Sequence, residues 1–267
     1  MRLNEHTAVS ASNVLLVPYD ARHVLKYHEW MSDPAIREAT ASDELTLEEE
    51  FENQQSWRTS HDKLTFIICT PADGHDHREL ASVKDGRVFA GHVDTPDRMV
   101  GDINLFLTPW EDDEDQVEAI DETHSNPTDG TLQGACDHAS SYCSAEIDIM
   151  IADKANRRRG LGRAAVATFL RFIRGNIDMI LREYGSTEEK PGMGLKNLVV
   201  KIHAENEGSI ALFKGLGFQQ KGEINYFGEI QMVLDGFGAG DGQDDISWAL
   251  KGTTEYVEVI YDRSRVG

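Results

Sequence analysis

The stretch "RRRGLGRAAVATFL", residues 157–170, governs how the rest of the chain is read. Three arginines, two glycines and a fourth arginine open a helical run. A helix start exposes backbone N–H groups that lack intrahelical partners, and the helix dipole adds partial positive charge there. Glycines let an anion approach that backbone closely. Basic residues at a helix start work against the dipole, so an idle cluster would cost stability. The bland alternative is an exposed basic helix start of no special purpose. The R-x-x-G-x-G turn is read here as a phosphate or pyrophosphate seat.

Two nucleotide motifs fit less well. "GLGRAA" matches G-x-G-x-x-A, but that fingerprint follows its strand directly in an early βαβ unit. Here "ADKANRRR" separates strand from glycine, and the motif lies past mid-chain. An NTP loop of the G-x-x-x-x-G-K-[ST] type is absent from the sequence.

The basic cluster stands out against its background. The 267 residues hold 47 Asp and Glu against 26 Lys and Arg, a formal charge of -21. That balance argues against nucleic acid or an anionic membrane as partner, since both need a basic footprint. Hydrophobic residues, at 40%, suffice for a core. No apolar run approaches the ~20 residues of a membrane span. "MRLNEHTAVS" lacks the pattern of a signal peptide, so the expected address is the cytoplasm or the nucleus. Cys69, Cys136 and Cys143 form neither a disulfide framework nor a zinc ribbon. "CDHASSYC" (136–143), with His124 nearby, and "GHDHREL" (74–80) are too loosely spaced to predict a metal site.

Working outward, "AEIDIMIA" (145–152) reads as a strand, followed by a helix from Gly160 towards residue 182. Leu161, Ala165, Phe169, Phe172 and Ile173 make its apolar stripe. "KNLVVKIHA" (196–204) is a strand and "EGSIALFKGL" (207–216) a short helix ended by Gly217. "FQQKGEINYF" and "EIQMVL" form a pair of strands, and "TEYVEVIYD" a final one. Upstream, "NVLLVPYD" (13–20) is a strand and "ARHVLKYHEWM" a helix with Asp20 placed to cap it. "LTLEEEFENQQSW" (45–57) is an acidic helix with Thr46 and Glu49 spaced as a capping box. "KLTFIIC" (63–69) and "RMVGDINLFL" (98–107) are strands, the latter kinked at Gly101. Residues 70–97 show no sustained period, and 108–145 carry ten acidic residues with no Lys or Arg. These stretches, with a Gly- and Asp-rich one near 235–252, read as polar insertions in a single domain spanning 1–267.

Taken together, "EIDIMIA", "RRRGLGRA", "NLVVKIHAEN" and "NEGSIALFKGLGF" (206–218) resemble the GNAT superfamily of acyl-CoA N-acyltransferases. In that family R/Q-x-x-G-x-G/A is the pyrophosphate loop, and N-x-x-[AS]-x-x-L-[YF]-x-x-x-G-F marks the next helix and strand. The N-terminal part, from "VLLVPYDARHVLKYHEWM" to "DKLTFIIC", is similar to the N-acetyltransferase 9-like branch, and "VGDINLFL" supports the same placement. The resemblance leaves out 70–97, 108–143, 183–195 and the region after 235.

The resemblance implies a mixed α/β fold: a curved, mostly antiparallel sheet with a central splayed parallel pair, 146–152 and 197–203, and helices on both faces. It implies acetyl-CoA as cosubstrate in that gap. Pantetheine pairs with the backbone of Ile149, Met150 and Ile151. The pyrophosphate meets Arg157, Arg158, Arg159, Gly160, Leu161, Gly162 and Arg163. Asn206 touches the pantetheine arm or an ordered water. A backbone N–H near Met150 holds the oxyanion. The implied chemistry is direct attack of an amine on the thioester.

An α-amino group, with a pKa near 8, needs less help to lose its proton than a lysine at about 10.4. Glu146 is the candidate base, raised by burial near Ile147 and Ile149; a strand-end glutamate in solvent is the other reading. Asp148, on the same face, is the alternative, and His203 a third. Many family members place a tyrosine in the second motif as acid to the leaving thiolate. Phe213 stands there instead, leaving Tyr226, a water or no group. The acidic run "EDDED" (111–115) is either a solvated charge run or a receiver for the basic tail of a protein or peptide acceptor. The competing function, motivated by Phe213 and the insertions, is a catalytically weak GNAT-fold protein that binds CoA or a partner.

Overall fold

The computed structural model describes residues 1–11, 13–71, 85–110, 142–188, 193–237 and 254–266. Its strands are β1 (Thr7–Ala11), β2 (Val14–Pro18), β3 (Lys63–Cys69), β4 (Arg87–Phe89), β5 (Met99–Pro109), β6 (Tyr142–Ile151), β7 (Gly194–His203), β8 (Gln219–Lys221), β9 (Glu229–Asp235) and β10 (Val257–Asp262). The helices are α1 (Val24–Met31), α2 (Pro34–Ala39), α3 (Leu47–Thr59), α4 (Leu161–Glu188) and α5 (Glu207–Lys214). The strands form one sheet, ordered β4-β10-β1-β2-β3-β5-β6-β7-β9-β8. Neighbours are antiparallel except β4 with β10 and β6 with β7.

Alternation along the inner strands creates two cores. Val14, Leu16, Leu64, Phe66 and Ile103 face one side, and Leu15, Val17, Ile67 and Cys69 the other. The first side is covered by α4, whose expected stripe from Leu161 to Ile173 is buried throughout. Its Phe169 and Phe172 meet Phe66 edge-on, with centroids 6.0 and 5.2 Å away. Each such ring contributes about 1.5–3 kcal/mol by leaving water. The second side is covered by α1, through Val24, Tyr27, Trp30 and Met31, and by Ile36 of α2. On α3, Thr46 and Glu49 form the expected capping box, with the Thr46 N–H donating to Glu49 at 2.7 Å.

The parallel β6/β7 ladder runs from Tyr142↔Gly194 to Glu146↔Val199 and stops. Beyond it, β6 stays paired to β5 as far as Ile151, while β7 stays paired to β9 as far as His203. Each strand holds its outer neighbour and releases the other. The central pair therefore splays, as expected.

Several elements went unread. The alternation of β1 is carried by small Ala and Ser, and β1 becomes a strand by pairing with β2 and β10. Asp33 and Pro34, a capping residue and an N1 proline, start the six-residue α2. Inside the stretch read as an aperiodic excursion, β4 adds to the sheet edge beside β10. Asp94 follows it as a buried clasp. It takes bonds from His23 (2.7 Å), from the Gly91 N–H (2.6 Å) and from the Tyr261 hydroxyl. Burial works against its charge, but the His23 and Tyr261 bonds outweigh burial and hold its carboxyl below the usual range. The expected kink at Gly101 is a register shift against β3, where Ile68 faces Gly101 and Cys69 faces Met99.

Gly101 is required by close approach. A Cβ there would lie 1.8 Å from the Met150 carbonyl oxygen. Gly101→Ala should therefore force β5 and β6 apart and cost about 3 kcal/mol, the upper part of the overpacking range. The urea midpoint would fall accordingly, and an unchanged midpoint would contradict the packing described here.

Candidate functional site

The site is built around the splay. The Trp110 N–H donates to the Tyr142 carbonyl, and the Ala152 N–H to the Val100 carbonyl, both at 2.9 Å. With the continuous register between them, even-numbered residues of β6 turn their backbone groups to β5. Odd-numbered Ile147, Ile149 and Ile151 turn theirs toward the gap. Met150, expected to donate an N–H into the site, points its backbone at β5 instead. Ile149 and Ile151 present the gap-facing N–H groups.

The arginine turn sits at the end of this edge. Arg158 takes a left-handed φ of 59°, and Gly160 one of 81°. For a non-glycine residue that conformation costs about 1–2 kcal/mol. The turn leads into α4, whose first N–H groups open onto it. The Arg157 side chain bends back: its Nε donates to the Ile151 carbonyl at 2.8 Å and its Nη2 to Ala152 at 3.3 Å. Arg157 thus ties the turn to the strand. Arg159 donates to Asn156 at 3.1 Å. At Gly162 a Cβ would make ordinary contacts with Leu212 and Ile151, 3.8 and 3.9 Å away. Asn206 caps α5, its Oδ1 accepting from the Ser209 N–H at 3.1 Å. An unpaired strand edge ending at a cationic helix start suits an extended ligand with an anionic end.

The opposite face of β6 carries carboxylates. Glu146 does not lie among Ile147 and Ile149, which point to the other side or the gap. It pairs with Lys201 of β7 at 2.7 Å. Asp148 is an exposed residue of β6, at the splay. Its carboxyl is pushed up to about 7 by burial, then by the like charges of Glu146 and Asp102, with Lys201 opposing.

Asp102 and Asn104 escaped the sequence reading, although two polar residues at i and i+2 in the apolar "VGDINLFL" mark one face of a strand. Asp102 is 2% exposed. Its Oδ2 accepts from Asn104 at 2.8 Å and from the Tyr27 hydroxyl at 3.4 Å. Burial pushes it up to about 6 despite those bonds. Asp102 Oδ1, Asn104 Oδ1 and Thr65 Oγ1 have no partner among the described residues. Asn104 lies directly between Thr65 and Asp148 in the strand register, so these groups form one polar strip.

Other expected participants lie elsewhere. Phe213 is buried against Phe218, with centroids 5.2 Å apart. Tyr226 is 96% exposed beside Phe227, in the connection from β8 to β9. His203 shares the Lys201 face at the end of β7. The run 111–115, His124, Cys136 and residues 74–80 lie outside the described residues.

Residues 13–219 match the family model described as an acetyltransferase (GNAT) domain. The chain is 36% identical over 234 residues to an N-acetyltransferase 9-like protein of Schizosaccharomyces pombe, covering 88% of this chain and 98% of that one. It is 32% identical over 262 residues to an N-acetyltransferase 9-like protein of Dictyostelium discoideum, covering 98% of each. It is 36% identical over 232 residues to the alpha/beta-tubulin-N-acetyltransferase 9 of Drosophila melanogaster, covering 87% of this chain and 88% of that one.

The charges around Asp148 predict opposite effects of two substitutions. Asp102→Asn removes a like charge and should lower the Asp148 titration midpoint from about 7, while Lys201→Met should raise it. Carbon-13 NMR of the carboxyl groups reads both. Because these carboxyls bind protons more tightly folded than unfolded, stability falls as pH rises from the ordinary carboxylate range, about 4, up to about 6 and 7, and levels off above. Asp102→Asn should flatten that decline.

Proposed function

The chain belongs to the GNAT acetyltransferase family and is an acyltransferase, and from that premise we propose that it transfers acetyl from acetyl-CoA to the α-amine of a protein or peptide. The observation that carries this reading is the splayed edge of β6, released by β7 beyond Glu146 and ending at the arginine turn, with Asp148 on the adjoining face.

The residues fit the cosubstrate. The gap-facing backbone of Ile149 and Ile151 is available to pair with the amide groups of a pantetheine arm. The amides from Arg158 to Arg163 and the adjacent arginines form a seat for a pyrophosphate. The amide NH2 of Asn206 is left to meet the arm. Acetyl-CoA would supply a thioester carbonyl to the gap, where the N–H of Ile149 or Ile151 can donate to its oxygen.

Asp148 would receive the proton of the attacking amine. From an α-ammonium near 8 that transfer is uphill by about one pKa unit, but from a lysine near 10.4 by more than three. The base thus suits an N-terminal amine. Glu146 acts as partner of Lys201, and the like charge it contributes helps keep Asp148 basic. Relatives named as tubulin N-acetyltransferases add support for a protein acceptor.

Thermal unfolding with acetyl-CoA at 100 times its dissociation constant should show ~2.7 kcal/mol of added stability. Gly162→Glu, which places a carboxylate at the pyrophosphate seat without a backbone clash, should abolish that shift. Asp148→Asn should keep the shift and lose about 10²–10⁴ in kcat/KM on an N-terminal peptide. Glu146→Gln should retain more activity and move the acidic limb of the pH profile downward. Full turnover in Asp148→Asn would refute its role as base. An acetyl-CoA shift without transfer to any amine would favour the partner-binding alternative.

A further inference from the structure

A cavity of about 510 Å³ opens between α1 and α3, on the sheet face that carries Asp102 and Asp148. Its walls include Tyr27, Asp43, Glu49, Glu50, Glu52 and Trp57, and no lysine, arginine or histidine lines it among the described residues. The volume falls in the range of small-ligand sites.

Glu50 decides what the cavity suits. It is 2% exposed, lines the cavity wall, and has no hydrogen bond or ion pair to its carboxylate among the described residues. The contrast with its neighbours on α3 is informative. Gln54, one turn on and equally inward, donates to the Tyr19 carbonyl at 2.9 Å. Glu49 is engaged with Thr46 in the capping box. Glu50 alone of the three lacks a partner. An unpaired buried carboxylate is costly, and a cation removes that cost most directly. Burial raises the Glu50 carboxyl, with His28 of α1 opposing. Tyr27 and Trp57 add ring faces that also favour a cation.

The cavity adjoins the reacting centre. Tyr27 both lines it and donates to Asp102. Trp57 lines it and stacks edge-on against Phe106, centroids 5.6 Å apart, and Phe106 is the cross-strand partner of Glu146. One layer of side chains separates cavity from carboxylates. An extended peptide advances about 3.3 Å per residue, so a side chain within its first few residues can reach across that layer.

We propose that this cavity receives a lysine or arginine side chain of the acceptor peptide, close behind the amine, with Glu50 as its counter-ion. The assignment rests on the reading of the chain as a peptide N-acetyltransferase, and it makes α3 a determinant of acceptor choice.

The test uses N-acetylated peptides, which bind without turnover, carrying arginine at position two, three or four, and the matching citrulline peptides as neutral isosteres. Calorimetry on wild type should show at least a tenfold preference for arginine at one of these positions. Glu50→Gln should erase that preference while leaving the affinity for the citrulline peptide unchanged. The rim pair Asp43→Asn with Glu52→Gln, both at exposed positions, should reduce it severalfold and serves if Glu50→Gln unfolds. Equal affinity for arginine and citrulline peptides in wild type, or a preference that survives Glu50→Gln, overturns the proposal. Spermidine binding as tightly as the arginine peptides, and competing with them, would also overturn it in favour of a free polyamine. Transfer assays on the free-amine peptides separate this from the broader reading. Discrimination without transfer would leave the cavity assignment standing and sink the catalytic one.

Discussion

The chemistry of this molecule depends on a ladder that ends early. β6 and β7 pair in parallel only to Glu146 and Val199, because each is held more extensively by its outer neighbour. Backbone groups released from a sheet seek other partners. Here Arg157 takes one, the Ile151 carbonyl, and the gap-facing groups of Ile149 are open to the proposed ligand. Gly101 belongs to the same constraint, since it lets β5 lie close enough to keep β6 straight through the splay. The strained turn at Arg158 and Gly160 then starts α4 directly beyond the open edge.

The two sides of β6 divide the work. One edge offers hydrogen-bonding groups along a line, ending in cationic charge at the helix start. The α1–α3 face offers carboxylates, with Lys201 paired to Glu146. In a protein with a formal charge of -21, the basic cluster sits at the proposed pyrophosphate seat. In the proposed reaction, its negative charge lies where an amine would arrive and lose a proton. Burial pushes the Asp148 carboxyl up first, and the neighbouring charges of Glu146 and Asp102 add to that rise.

The face opposite α4 is completed by distant parts of the chain. Asp94 joins His23, Gly91 and Tyr261, and Asp20 grips the guanidinium of Arg263 at 2.7 and 2.8 Å. These bonds fasten the start of α1 to β10 and to the segment after β4. α1 in turn carries Tyr27, which touches both Asp102 and the acidic cavity. The position of the carboxylate strip is thus coupled to strands at the far edge of the sheet.

Wherever one local periodicity or one contiguous motif carried the information, the sequence was sufficient. The stripe from Leu161 to Ile173, the capping box at Thr46 and Glu49, the strands around the arginine turn and the expected splay all appear in the structure. β1 and β4 were not legible, because each is completed by β10, which pairs with β4 from 173 positions away and with β1 from 247 or more. Nor could the sequence say that Lys201 engages Glu146 while Asp148 is pushed up. Both lie on one face of one strand. Lys201 from β7 separates their environments, along with Asp102 from β5, and these meet only when three strands align. Glu50 read as one charge of an acidic helix. Tertiary packing turned it inward without a partner, because the face of α3 that meets the sheet is set by the fold and not by its own weak apolar pattern.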